Sequence, residues 1–295
     1  MRILACVLLI TGIFCAEAFA QRKPVKVKPV RSPSLIFAVL NDGKLLEPIA
    51  AIENATLTTG EIAPATLGDA FQVGRSYSVV FGGKKVGNIA VTKSNIGEEC
   101  GGSSADVSAD PAQPKLKGLV MALATNASTS PPASGVRRLP AAGERSAIEA
   151  LVRAEFVNQG ASAAMAAVLR YHNLTAVDVD KDGIAEMIGS YWIAPPNERR
   201  LLFFIAEKGS DGKYFLTHRE YEVVKPADVM SGDLADLDTG LGHELLLDIF
   251  DYDRDGTAEI FTIGKAFEGN NYFVYRRVNS KWTKVHENYV YRCAF

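Results

Sequence analysis

Apolar positions along this chain fall mostly into short runs bounded by Gly, Asn, Asp, Ser and Pro, the pattern of a β-rich protein. Leu35–Leu40 is one such run, and Asn41-Asp42-Gly43 behind it is a turn signal leading into a second, Lys44–Ile52. Tyr77–Phe81 and Val86–Val91 flank Gly82-Gly83-Lys84-Lys85 as another hairpin. A Gly/Ser/Asp/Pro-rich stretch, 97–114, predicts a long loop, and Leu116–Ala124 resumes as a strand. Glu144–Asn158 breaks the pattern. There Ile148, Leu151, Val152 and Phe156 share one helical face, and Asn158-Gln159-Gly160 supplies the stop. Residues 162–172 fit either a second short helix or the lead-in to a strand.

Residues 126–143 (NASTSPPASGVRRLPAAG) lose all hydrophobic period and read as a linker. It divides a small N-terminal β domain, 35–125, from a C-terminal domain, 144–295. Ahead of both, Arg2 and the apolar run Ile3–Phe14 lead to Ala18-Phe19-Ala20, a small-x-small cleavage pattern. Residues 1–20 are therefore expected to be a signal peptide, with the mature start near Gln21 and a secreted or periplasmic destination. That run is shorter than the roughly 20 residues a bilayer requires. No later run is long enough either, so the mature chain is not expected to be transmembrane. Residues 21–34, with three prolines and five cations, read as an extended basic leader.

Four cysteines become two when Cys6 and Cys15 leave with the signal, and an even pair in an oxidising compartment predicts a Cys100–Cys293 disulfide. A net charge of −2 gives no basic field for nucleic acid, and no nucleic-acid partner is expected.

From residue 173 the pattern is strands, and an acidic loop repeats within it. The first copy is Asp178-Val-Asp180-Lys-Asp182-Gly183-Ile-Ala-Glu186, and the second is Asp251-Tyr-Asp253-Arg-Asp255-Gly256-Thr-Ala-Glu259, offset by 73 residues. Calcium takes six to eight oxygens at roughly 2.3–2.6 Å. Carboxylates at loop positions 1, 3 and 5 converge when the chain curls around a point, and Gly at position 6 permits the sharp turn. The carbonyls of Ile184 and Thr257 at position 7 add an oxygen, and Glu186 or Glu259 closes the shell. Two calcium sites are expected. Four carboxylates so close would repel one another without a central cation. An EF-hand is excluded, because it needs Glu at position 12, where this chain has Gly189 and Thr262.

The flanking runs are β-rich: Leu174–Val177 and Met187–Trp192 around the first loop, Leu245–Phe250 and Ile260–Ile263 around the second. Each loop therefore joins two strands. The loop resembles the calcium-binding repeat of FG-GAP/VCBS-type proteins, such as the blades of integrin α-subunit propellers, although the Phe-Gly and Gly-Ala-Pro segments are absent. The resemblance covers about 15–20 residues per copy. It implies ligands at Asp178, Asp180, Asp182 and Glu186, and at Asp251, Asp253, Asp255 and Glu259, with the loop between neighbouring strands of a four-stranded sheet.

Arg200–Ala206 with Tyr214–Val224, and Asn271–Arg276 with Trp282–Val285, complete two four-stranded units. Two are too few to close a propeller. The expected fold is mainly β: the N-terminal β domain, then one or two helices and two blade-like repeats forming a partial propeller or packed sheets.

Catalytic motifs are missing. His243-Glu244 has no second His at zincin spacing, and no nucleophile elbow, P-loop or dinucleotide fingerprint occurs. Tyr191, Trp192, Tyr272 and Trp282 are expected in packing rather than on a carbohydrate surface. The expected function is an exported, non-enzymatic calcium-binding protein presenting a binding or adhesion surface to a protein or carbohydrate ligand. The alternative is a secreted hydrolase with structural calcium and an active site that no motif locates.

Overall fold

The apolar runs form strands that assemble into three antiparallel sheets. The computed structural model describes residues 33–58, 61–100, 102–109, 121–129 and 137–293, which belong to one compact unit. The expected signal peptide, nearly all of the basic leader and the start of the run Leu116–Ala124 lie outside the described residues.

The first sheet comprises β1 (Ser34–Leu40), β2 (Leu45–Glu53), β3 (Thr56–Leu57), β4 (Ser76–Phe81), β5 (Lys84–Ser94), β6 (Ala105–Ala109) and β7 (Ala122–Thr125). Its order is β1-β7-β4-β5-β6-β2-β3, and an additional β1–β2 pairing curls it back on itself. Strand β1 is an unbroken apolar run because both its faces are covered. Leu35, Phe37 and Val39 join Leu67, Ala70 and Phe71 from helix α1 (Pro64–Ala70) and its end, while Ile36 and Ala38 face a different core. The expected long loop 97–114 needs correction, since it contains β6, paired with β5 and β2. Its short Ala-Asp-Val-Ser-Ala segment carries almost no apolar signal.

The second sheet holds β8 (Arg170–Val177), β9 (Glu186–Ile193), β10 (Arg199–Lys208) and β11 (Tyr214–Val224) in the order β11-β10-β9-β8. The third holds β12 (Glu244–Phe250), β13 (Glu259–Ala266), β14 (Gly269–Val278) and β15 (Lys281–Tyr291) in sequential order. Both are four-stranded meanders with the acidic loop between first and second strands, as the repeat predicts. Helix α2 (Ala142–Asn158) buries Ile148, Val152 and Phe156 as expected, with Leu151 partly covered. The ambiguous segment 162–172 holds both a short helix, α3 (Ala163–Ala167), and the start of β8.

The layers stack through their apolar faces. Helix α2 covers Leu174, Tyr191, Leu202 and Phe204 on one face of the second sheet. The opposite face, through Val177, Ile188, Phe203 and Ile205, packs on Leu246, Ile249, Ile260, Tyr275 and Trp282 of the third sheet. The third sheet's other face, through Leu247, Phe250, Phe261, Tyr272 and Val274, meets Ile36, Ala38, Ile49 and Val80 of the first. The two repeats thus pack on each other, and Tyr191, Trp192, Tyr272 and Trp282 are all buried.

Polar ties reinforce the stack. Asp248, fully buried on β12, accepts from the Gly82 N–H at 2.8 and 2.9 Å, so the β4–β5 turn is fastened to the third sheet. Buried Glu47 on β2 accepts from the Asn270 side chain at 2.8 Å and from the Tyr272 hydroxyl, and pairs with Arg292. Within 126–143, residues 130–136 lie outside the described ones, while Arg137 donates to the Leu247 carbonyl at 2.5 Å and the Arg138 backbone bridges to Ala176. Cys100 and Cys293 form a disulfide across 193 positions of sequence. No described helix is long and apolar enough to cross a membrane.

Candidate metal centres

Each acidic loop is shaped by its own backbone amides, with the same bonds in both copies. The Gly183 N–H donates to Asp178 Oδ2 at 3.2 Å, and the Gly256 N–H to Asp251 Oδ2 at 3.3 Å. The Asp182 and Asp255 N–H groups donate to Oδ1 of Asp180 and Asp253 at 3.3 and 3.1 Å. Those of Ile184 and Thr257 donate to Oδ1 of Asp182 and Asp255 at 2.7 and 2.8 Å. Finally, the Val179 and Tyr252 N–H groups donate to Oε2 of Glu186 and Glu259 at 2.9 and 3.2 Å, closing each loop onto the first residue of β9 or β13.

This curl needs left-handed backbone at two points. Gly183 and Gly256 have φ of 85° and 99°, a region nearly free of cost for glycine alone. The preceding cation, Lys181 or Arg254, also has φ of 65° in both copies. Its side chain turns outward, and Arg254 donates to the Ser128 carbonyl at 3.3 Å.

The convergence produces two carboxylate clusters able to hold a metal ion. Asp178, Asp180 and Asp182 bring one oxygen each within 4.8 Å of one another, and Asp251, Asp253 and Glu259 do the same in the second loop. Glu186 and Asp255 stand outside these groups. Glu186 is drawn toward Arg277 at 3.4 Å, and Asp255 is exposed with Oδ1 held by Thr257.

Two arginines that the sequence pattern does not single out complete the electrostatics. On β14, Arg277 reaches Asp180 at 2.6 Å and Glu207 at 2.7 Å, and its neighbour Arg276 reaches Asp253 at 3.4 Å. The guanidinium of Arg277 lies 5.1 Å from the Trp282 ring centre, and the Trp282 indole N–H donates to Glu207 at 2.8 Å. Adjacent arginines were the available signal, but their targets depend on how the second and third sheets face each other.

The two loops therefore differ in compensation. Burial pushes the Glu186 carboxyl up to about 7 while Arg277 acts to lower it. Glu259 is pushed up to about 9, first by burial and then by Asp253. Asp251 Oδ1 and Glu259 Oε1 are buried without a hydrogen-bond partner. A desolvated carboxylate oxygen with no donor is costly, and a cation at that point would satisfy both. The residues present thus fit a metal ion, and the second loop fits it better.

No protein-family model matches the chain, no curated protein is similar to it, and no solved structure matches it.

Proposed function

We propose that this is an exported, non-enzymatic protein that binds calcium at both loops, the ions rigidifying two packed β repeats that present a binding or adhesion surface to a protein or carbohydrate. The ligands are Asp178, Asp180, Asp182, Glu186 and the Ile184 carbonyl in one loop. In the other they are Asp251, Asp253, Asp255, Glu259 and the Thr257 carbonyl. The observation that carries this reading is the pair of buried, partnerless oxygens on Asp251 and Glu259. An all-oxygen donor set with no Cys or His favours a hard cation, and calcium tolerates an irregular many-oxygen shell better than magnesium does.

The FG-GAP/VCBS resemblance supports the same assignment. Calcium titration by calorimetry tests it: two sites should fill at millimolar or tighter concentration, and an absence of heat at millimolar calcium would contradict it.

A further inference from the structure

Both acidic loops lie at one end of the packed sheets, where the Ala258 N–H of the second donates to the Val179 carbonyl of the first. At the other end the sheets part. A cleft of about 660 Å³ opens there between Leu201, Phe203 and Glu222 of the second sheet and Glu244, Gly264 and Phe273 of the third. The 226–243 connection, carrying the short helix α4 (Ala235–Asp238), forms part of its wall. The volume is typical of a small-molecule site.

Three features of this cleft point to a ligand. His243 lines it, is only 1% exposed, and has no hydrogen-bond partner on either ring nitrogen. The Leu237 backbone acts on the imidazole as a hydrogen-bond acceptor for one nitrogen, short of a full bond, and the His172 ring stands edge-on to it with its centre 4.1 Å away. Burial keeps it neutral, so one of its nitrogens is a free acceptor.

Glu244 also lines the cleft. It accepts from the Thr262 hydroxyl at 2.5 Å and has no cation within ion-pair distance among the described residues. Burial pushes its carboxyl up to about 7, while the Thr262 and Tyr275 hydroxyls and then the more distant charge of Lys284 act to lower it.

The third feature is the balance of charge. Glu220 is matched by Lys284 at 3.5 Å, but Glu222 and Asp228 line the cleft without an ion-pair partner among the described residues. Lys265 is the remaining lining cation and is exposed. The walls between are apolar and aromatic, with Leu201, Phe203 and Phe273 prominent.

We propose that this cleft binds a small organic cation, an ammonium group on an apolar body, with Glu244 meeting the charge and the His243 imidazole accepting an N–H. Glu222 and Asp228 attract the cation at the rim, and the phenyl walls cover its apolar part. The site is independent of the metal loops.

The test is calorimetric binding of three isosteric probes, 2-phenylethylamine, 2-phenylethanol and phenylacetate, to the folded protein in millimolar calcium. The amine should bind at least about tenfold more tightly than either of the others. Glu244→Gln should remove most of that preference, and Glu222→Gln, at the exposed rim, should weaken the amine about threefold. Equal binding of the three probes, preference for phenylacetate, or no binding up to the solubility limit would overturn the proposal. So would an unchanged amine affinity in a folded Glu244→Gln variant. Should that variant not fold, probe selectivity of the unaltered protein together with Glu222→Gln decides.

Discussion

The backbone N–H of Ala258 donates to the carbonyl of Val179 at 2.8 Å, so the two acidic loops are bonded directly to each other. Val179 is position 2 of the first loop and Ala258 is position 8 of the second, and both are buried. The two loops form one structural unit rather than two separate turns. An ion that fixes one loop fixes an edge of the other.

That bond predicts coupling between the sites. Asp255→Asn, made only in the second loop, should also weaken calcium at the first by about fivefold, the low end of ordinary coupling energies. Titration of the single variant measures this. A first-loop affinity unchanged from the unaltered protein would mean that the loops act independently.

Arg277 stands where calcium would add charge, bridging Asp180, Glu186 and Glu207. Arg277→Met keeps the apolar stem and removes the guanidinium. The calcium-free variant should lose about 1–3 kcal/mol, because three carboxylates lose a common partner. Its first loop should bind calcium more tightly than before. Urea unfolding in chelator, followed by calcium titration, reads both effects, and they should have opposite signs.

The Cys100–Cys293 bridge ties the loop before β6 to the end of β15, across 193 positions. In the chain-entropy picture a closure of this length contributes about 5 kcal/mol through the unfolded state. Cys100→Ser with Cys293→Ser should therefore lower the urea midpoint strongly while leaving the far-ultraviolet circular dichroism unchanged at low temperature. A double variant as stable as the oxidised protein would contradict this.

Acid should act through His243. Burial, and then the neighbouring His172, push its imidazole down from the usual 6.5 to about 3. The unfolded chain therefore takes up the proton first. The stability from a neutral His243 is complete above about pH 6.5 and is lost as pH falls toward 3, by up to about 1.4 kcal/mol per unit. The buried acids Glu244 and Asp248, raised to about 7 and 6, act in the opposite direction, so the informative quantity is a difference between variants. His243→Gln should flatten the decline between pH 6.5 and 4 relative to the unaltered protein. Parallel stability curves would show that His243 does not titrate on unfolding.

Much of the C-terminal architecture was legible because its information is local. The loops announce themselves through Asp and Gly spacing, and the short apolar, β-rich runs on either side, bounded by turn residues, are enough to place most of β8 to β15. Helix α2 was readable from Ile148, Val152 and Phe156 for the same reason.

What was hidden depends on partners remote in sequence. Strand β6 owes its existence to pairing with β5 and β2 rather than to its own composition. Arg277 and Glu207 meet only because the second and third sheets pack together. His243 and Glu244, read from sequence as the failed start of a zinc motif, gain interest from the cleft that Phe203 and Phe273 wall in. Burial of charged groups is a property of the assembled layers, and no spacing rule reports it.

The central claim is that the two loops hold calcium and that this stabilises the packed sheets. Thermal unfolding in chelator, in millimolar calcium and in millimolar magnesium tests it directly. Calcium should raise the midpoint by several degrees, as a ligand present at about one hundred times its Kd contributes about 2.7 kcal/mol. Magnesium should raise it little, and Asp182→Asn with Asp255→Asn should abolish the calcium shift. No calcium shift in the unaltered protein, or a full shift in the double variant, would contradict the account.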